Sequence, residues 1–330
     1  MTALLGHMVP IAHHLDLNAL LGEPRLTNPA LILSADRREF QLVLKRNPYD
    51  RRRIWRSNDR NWNEILGVDG KLRVRHVHAR LGRDFAVIES RPLRIPPLRL
   101  GSIDFDSADD VRIIEWNGRP RLMGSCLTVA SAISGGTWHF QGMRTRMFMA
   151  PLDPADGAQP FVLPAFFNNA KFDKNWISHE RNTGELALSI DFNRNIWLAL
   201  PDAPTQPVAM PKHALTWQGG WSGSSSLVSL EEGFLAVLHR TVSISPAEYS
   251  HMFVICDRRF RVLRRSEPFT FEGEPVEFCM GLTRDRSTSQ IFISYGLWDE
   301  AARIVTLAEG DVLSLCTHEV KDPGDLYAVM

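Results

Sequence analysis

The stretch Asp110-Val-Arg-Ile-Ile-Glu-Trp-Asn-Gly118, followed by Met123-Gly-Ser125, decides the fold of this chain. It starts with a polar residue, continues as a short apolar strand, turns at Asn117-Gly118 and returns as a second strand. Asn-Gly between two apolar runs is the strongest short-range signal for a β-hairpin. The stretch therefore predicts an antiparallel hairpin with polar residues at its open end.

The same pattern of strand, turn and strand occurs five times along the chain. The polar residues that start the five hairpins are Asn28, Asp110, Asn175, Ser225 and Glu277. The polar residues that end them are Arg46, Ser125, Asp191, His239 and Tyr295. The later starts are about 50–65 residues apart, which is the scale of one four-stranded propeller blade.

This repeat predicts an all-β fold, a five-bladed β-propeller that comprises residues 25–330. The first interval between hairpins is longer and predicts an insertion over residues 47–70. Residues 1–24 are predicted to be an N-terminal extension, a short helix or strand packed on the domain.

In a propeller the inner strands converge on a central channel, so equivalent ends of the blades share one funnel. The five hairpin starts are the predicted lining, although any one of them could simply cap a strand in water; they are Asn28, Asp110, Asn175, Ser225 and Glu277. Arg46 opens a basic stretch that could hold phosphate or a sugar, or form an exposed loop. Aromatic side chains are predicted either to stack on sugar rings or to fill blade cores; they are Trp138, Trp176, Trp221 and Tyr295.

Composition excludes several function classes. Lys and Arg total 38, as do Asp and Glu, so the formal net charge is zero. This balance argues against nucleic-acid binding. No apolar run is long enough for a membrane span, and the N-terminal residues lack a signal-peptide pattern, which favours a cytoplasmic protein. The four cysteines form no C-x-x-C pair and are predicted to be buried free thiols.

The usual cofactor and metal motifs do not occur in the sequence. There is no P-loop, no G-x-G-x-x-G after a strand and no H-E-x-x-H. His76 and His78 would share one face of a strand and could hold a metal, but the neighbouring arginines favour a solvated face. The sequence therefore predicts no metal and no resident cofactor.

Several segments resemble glycoside hydrolase family 130, a family of β-mannoside phosphorylases and hydrolases with five-bladed propellers. Asp109-Asp-Val-Arg112 resembles its Glu-Asp-Pro-Arg motif, Asp173-Lys-Asn-Trp176 its Glu-Lys-Asn-Trp motif, and Asn28-Pro29 the opening of its first blade. Gly220 to His239 resembles its Gly-rich loop and following strand. Segments between Tyr249 and Asp299 resemble a propeller branch found in glycan-assembly proteins. The resemblance spans most of residues 25–315.

The resemblance implies roles for individual residues. Asp110 matches an acidic residue near the reacting sugar and would be the general acid. Arg112 and Lys174 match basic residues that hold phosphate, and His239 or His251 would add a further contact. The proline of Glu-Asp-Pro-Arg is replaced by Val111, which places the substrate, and catalysis itself, in question.

These features favour a carbohydrate-active enzyme that cleaves or transfers a glycosyl unit at the funnel. Its partner would be an oligosaccharide or a sugar phosphate, with phosphate or a nucleotide sugar as co-substrate. Phosphorylase, hydrolase and glycosyltransferase activities stay open, as does the oligomeric state. The alternative is a non-catalytic propeller that binds a glycan or a protein.

Overall fold

The computed structural model describes residues 3–47, 74–100, 102–105, 107–134, 137–156, 159–163, 176–180, 186–191, 196–200, 220–244 and 247–321. These residues form a mostly β structure with three short α-helices. The insertion predicted at residues 47–70 lies outside the described residues from residue 48 onward.

The N-terminal segment contributes two strands and two helices. They are β1 (Ala3–Leu4), α1 (Leu5–Met8), β2 (His13–Asp16) and α2 (Leu17–Leu21). Asp16 caps α2, since its Oδ1 accepts the N–H groups of Asn18 at 2.9 Å and Ala19 at 3.1 Å. Gly22 ends the helix at φ 66°, a conformation that costs a glycine little. The domain boundary at residue 24 stays a prediction.

Sheets I and II follow in chain order, each with four antiparallel strands. Sheet I contains β3 (Leu26–Leu33), β4 (Glu39–Arg46), β5 (Arg75–Gly82) and β6 (Val87–Leu93). A two-stranded ribbon, β7 (Arg99–Leu100) and β8 (Ile103–Asp104), precedes sheet II. Sheet II contains β9 (Ser107–Trp116), β10 (Arg119–Ser134), β11 (Thr137–Pro151) and β12 (Phe161–Val162), with a 3-10 turn at Pro154–Asp156.

Sheets III, IV and V complete the chain. Sheet III contains β13 (Ile177–Glu180), β14 (Leu186–Asp191) and β15 (Ile196–Leu200). Sheet IV contains β16 (Ser222–Gly223), β17 (Val228–Ser229), β18 (Phe234–Ile244), β19 (Ala247–Cys256), β20 (Val262–Arg265) and β21 (Phe269–Thr270). Sheet V contains β22 (Glu277–Asp285), β23 (Gln290–Leu297) and β24 (Ala301–Ala308), followed by α3 (Glu309–Leu315) and β25 (His318–Glu319).

Two sheets take strands from elsewhere in the chain. β2 pairs with β24 and is the fourth strand of sheet V. β1 and β25 join sheet IV through β21 and β20. The N-terminal segment is therefore built into two sheets.

The five predicted hairpins occur at the predicted places. β3 pairs with β4, β9 with β10, β13 with β14, β17 with β18, and β22 with β23, all antiparallel. In the deciding hairpin Asn117 and Gly118 take φ of 55° and 65°, the left-handed conformation that a tight two-residue turn requires.

Hydrogen bonds connect neighbouring sheets in cyclic order. The five connections, from I–II to V–I, are Asn28 Nδ2 to Asp110 Oδ1, Arg112 Nη1 to the Trp176 carbonyl, Leu227 N to the Ser178 carbonyl, Ser224 Oγ to the Cys279 carbonyl, and Ser294 Oγ to the Pro29 carbonyl. This order is the one expected of a propeller, and the number of blades stays a prediction.

The hydrophobic core lies between neighbouring sheets. Trp176 packs with Ile114 of β9 between sheets II and III, and Trp221 with Ile177 of β13 between sheets III and IV. Both indoles are 1% exposed. They belong to the core, so the alternative that they stack on sugars is wrong for these two. The side chain of Trp138 lies outside the described residues.

Candidate functional site

The candidate site begins at two β-bulges on neighbouring inner strands. Asn28 in β3 and Asp110 in β9 both have φ 47°, at points where the strand register shifts. Asn28 Nδ2 donates a hydrogen bond to Asp110 Oδ1 at 3.1 Å. A left-handed conformation is unfavourable for residues other than glycine, and such strain concentrates at functional sites. The structure thus brings together two residues predicted from the hairpin starts.

Arg112 lies two residues beyond Asp110 and is 3% exposed. Its Nη1 donates to the Trp176 carbonyl at 2.5 Å, whereas Nε and Nη2 have no hydrogen-bond partner among the described residues. Burial lowers the pKa of Arg112, and the nearby Asp110 carboxylate and Cys279 thiol act in the opposite direction. Burying a cation whose N–H donors lack acceptors costs free energy. An anionic group that accepts from Nε and Nη2 would therefore bind favourably to this guanidinium.

A second cation near the cluster was missed by the sequence prediction. Lys45 in β4 is 3% exposed, and its Nζ lies 2.5 Å from Asp109 Oδ1. Asp109 directly precedes Asp110, so this ion pair fixes the strand on one side of the bulge. The sequence contained a signal for this lysine. Lys45 and Arg46 end the same strand, and because adjacent side chains point to opposite faces, only one of the two can face the buried side.

Arg46, the residue that was predicted instead, points away from the buried face that holds Lys45. Its side chain is 44% exposed, and its Nη1 pairs with Glu23 Oε2 at 3.0 Å. The structure does not bring Arg46 to the Asp110 cluster.

His239 lies on β18 and is connected to sheet V through a serine. Its Nδ1 is 3.1 Å from Ser224 Oγ, and that hydroxyl donates to the Cys279 carbonyl at 2.9 Å. Since the single hydroxyl proton goes to Cys279, Nδ1 is the donor to Ser224. The imidazole lies edge-on to Phe278, with ring centroids 4.7 Å apart.

His251 pairs with His239 across β18 and β19. Its Nε2 accepts the Cys279 N–H at 3.3 Å, and burial lowers the pKa of His251 to about 3. The imidazole is therefore neutral and connects sheets IV and V. Both predicted histidines thus hold the backbone of Cys279, His239 through Ser224 and His251 directly.

Glu277 and Tyr295 lie in a different cluster. The Glu277 carboxylate is buried and accepts three backbone N–H groups, those of Phe271, Glu272 and Glu274. The Tyr295 ring is 0% exposed and stacks on Phe271 at 4.1 Å, and its hydroxyl donates to Glu272 Oε1. Both side chains organise the turn before β22, and the structure does not bring them to Asp110.

Two further predicted residues, Lys174 and Asn175, lie outside the described residues. The neighbouring Trp176 is described, and its carbonyl binds Arg112. The match to the Glu-Lys-Asn-Trp motif therefore stays a prediction for the lysine and the asparagine.

His76 and His78 show a clear correction to the sequence analysis. They were predicted to lie on a solvated face, yet they are 5% and 3% exposed. Burial lowers the pKa of both, that of His76 to about 4. His76 lines a cavity together with the residues that follow β6 and the start of β9, so its side of β5 faces neighbouring parts of the protein. Among the described residues, no group of three or more His, Cys, Asp or Glu side chains could hold a metal ion.

The cysteines and the helices are each the subject of a prediction from the sequence. All four cysteines are buried free thiols. In the described part of the chain, none of the helices has the length and apolar character needed to cross a membrane.

The comparisons with known proteins concern the fold. No protein family model matches the sequence, and no curated protein sequence is significantly similar to it. A β-1,2-mannobiose phosphorylase from Listeria innocua has a similar structure, with 13% sequence identity, a TM-score of 0.51, and coverage of 88% of this chain and 91% of that one. A GDP-Man-dependent mannosyltransferase from Leishmania mexicana is also similar, with 9% identity, a TM-score of 0.50 and 87% coverage of both chains.

A third similar solved structure comes from the GH130 family of mannoside phosphorylases. This family contains glycoside hydrolases that target β-1,2 mannosidic linkages in Candida mannan. The structure has 10% identity, its TM-score is 0.49, and the match covers 91% of this chain and 88% of that one. At such identities the likeness shows the fold alone: this chain shares the fold of the β-1,2-mannobiose phosphorylase and of the mannosyltransferase.

Proposed function

We propose that this protein transfers a glycosyl unit between a β-linked glycan, of mannoside type, and a phosphate-bearing group. The observation that carries the proposal is the buried Arg112 guanidinium next to the strained bulge at Asp110; within the part of the chain that the structure describes, its Nε and Nη2 lack partners. A guanidinium with two free N–H donors matches two oxygens of a phosphate group. The named activities of the two fold neighbours, phosphorolysis and mannosyl transfer from a nucleotide sugar, support a phosphate-bearing partner.

In the phosphorolytic form, a phosphate oxygen attacks the anomeric carbon while the bond to the glycosidic oxygen breaks. Asp110 supplies the proton that the leaving oxygen takes up, so the products are a sugar 1-phosphate and a free hydroxyl. Arg112 holds the phosphate and balances its charge as the new bond forms. Asn28 fixes the Asp110 carboxyl through the 3.1 Å hydrogen bond.

Under this proposal the reaction uses phosphate or a nucleotide sugar as co-substrate and no resident cofactor. The partner is an oligosaccharide or a sugar phosphate, and we propose a cytoplasmic location.

The test is to incubate the protein with β-mannosides with and without inorganic phosphate, and with GDP-mannose and mannoside acceptors. We expect a phosphate-dependent sugar 1-phosphate or a nucleotide-dependent glycan. Asp110→Asn should lower the rate by at least 100-fold, and Arg112→Lys should raise the KM for the phosphate-bearing substrate.

The matched controls are Asp104→Asn and Arg99→Lys. These side chains are 66% and 72% exposed and pair with each other on the surface, so both variants should keep full activity. If no product forms under any of these conditions, while glycan binding is detected and survives Asp110→Asn, the non-catalytic alternative replaces this proposal.

A further inference from the structure

A cavity of about 290 Å³ lies between sheets I and II. Its walls are β5, the linker that follows β6 and the start of β9. The side chains that matter for its chemistry are His76, Leu93, Ile95, Leu98, Phe105 and Ser107. The volume is at the lower end of the ~300–1,000 Å³ typical of small-molecule sites.

One polar group in this wall is buried and unpaired as far as the structure describes its surroundings. His76 is 5% exposed, and its Nε2 makes no hydrogen bond to a described residue. Ser107 is already engaged, because its Oγ accepts the Val74 N–H at 2.9 Å and donates to the Ala108 carbonyl at 3.3 Å. An unpaired buried nitrogen is costly, so a ligand that supplies its partner gains a hydrogen bond at this point.

The charges around the cavity exclude an ionic ligand. Its lining, as far as the structure describes it, carries no Asp, Glu, Lys or Arg. Burial lowers the pKa of His76 to about 4. The Asp109 carboxylate raises this pKa and the Lys45 ammonium lowers it further, and the imidazole is neutral at pH 7. Lys45 and Asp109 themselves form an ion pair.

We propose that this cavity is a binding site, separate from the Asp110 and Arg112 cluster, for a small uncharged molecule with a largely hydrocarbon body and one hydroxyl group. The hydrocarbon body packs on Leu93, Ile95, Leu98 and Phe105. The hydroxyl pairs with the imidazole of His76. The limited volume excludes a polypeptide segment or a sugar chain.

The test uses two probes of nearly equal shape, benzyl alcohol and ethylbenzene, which differ in the hydroxyl group. Their dissociation constants are measured by NMR titration on the wild type and on His76→Phe, a variant that keeps a flat ring and removes both nitrogens. We expect benzyl alcohol to bind the wild type, and its affinity relative to ethylbenzene to fall about tenfold in the variant.

The location is tested with Ala108→Leu and Ile95→Phe, which add bulk to two different walls of the cavity, β9 and the linker after β6. Either variant should abolish binding of both probes, and two fillers guard against one that fails to fold, as judged by circular dichroism. Absence of probe binding to the wild type would overturn the proposal. So would binding that survives in a folded filler variant, or a probe preference that His76→Phe leaves unchanged.

Discussion

At the residue scale, the site depends on charged side chains placed where water cannot reach them. Lys45 illustrates this, because its buried ammonium forms an ion pair with Asp109 at 2.5 Å. A buried ion pair of this kind contributes little to folding stability as a whole. Removing one partner is nevertheless costly, because the remaining charge loses its counter-ion.

We expect Lys45→Met to lower the free energy of unfolding by about 3 kcal/mol, because Asp109 keeps its charge and loses the ammonium group that pairs with it. The double variant Lys45→Met/Asp109→Asn should recover most of this loss. Urea unfolding of the wild type, both single variants and the double variant gives the coupling energy. A double variant whose loss equals the sum of the single losses would show that the two side chains do not interact.

Glu277 should make the stability depend on pH. Burial raises the pKa of Glu277 from 4.5 to about 7, although three backbone N–H groups favour the carboxylate. Because the folded-state pKa is raised, folding favours the protonated form of Glu277. The stability that this form contributes is complete below pH 4.5 and is lost as the pH rises through about 7. The difference corresponds to about 3 kcal/mol.

Glu277→Gln does not titrate at this position, so its unfolding free energy should change less than that of the wild type between pH 4.5 and 8. Urea unfolding across this range measures the effect, and the exposed Glu248→Gln is the matched control. Parallel pH profiles for wild type and Glu277→Gln would contradict the prediction.

At the element scale, the bulges of β3 and β9 shape the site, and their neighbours hold them in place. Gly296 in β23 is one such neighbour. A Cβ atom at this position would lie 2.5 Å from Asn28 Oδ1 and 2.7 Å from Asn28 N.

Gly296→Ala should therefore displace Asn28 and break its hydrogen bond to Asp110. We expect a loss of about 1–3 kcal/mol in stability and a larger proportional loss of any glycosyl-transfer activity. Gly310→Ala is the matched control, since nothing lies within 4 Å of its Cβ position in α3 and alanine favours a helix. Unfolding and product assays on both variants test this, and equal behaviour of the two would refute it.

The elements also show how far the sequence predicts the structure. Hairpin positions follow from local patterns such as Asn117-Gly118, and all five hairpins are found. Which side chain at a strand end faces inward depends on bulges that shift the register by one residue. The sequence therefore pointed to Arg46, whereas the buried cation beside Asp109 is Lys45. His76 lies against the linker that follows β6, and the sequence around His76 contains no pattern that predicts this contact.

At the scale of the whole molecule, the N-terminal segment takes part in the ring of sheets. His13 to Asp16 pair with Arg303 to Thr306, and Asp16 Oδ2 accepts from Arg303 Nη1 at 2.9 Å. Leu5 and Val9 are buried in the core between sheets IV and V.

Deleting residues 1–16 should therefore lower Tm markedly, because an edge of sheet V and buried apolar side chains become exposed. A synthetic peptide of residues 1–16 should restore Tm in proportion to its concentration, since it binds the folded form. A scrambled peptide is the control. Thermal unfolding by circular dichroism measures both effects, and an unchanged Tm after deletion would contradict the prediction.

The pairing of β2 with β24 also sets an order of events during synthesis. The ribosome releases β2 roughly 290 residues before its partner strand, so β2 must wait unpaired while the intervening sheets emerge. Contacts so distant in sequence form slowly. Until β2 and β24 pair, sheet V lacks its fourth strand, and the nascent protein is exposed to aggregation and to proteases at this edge.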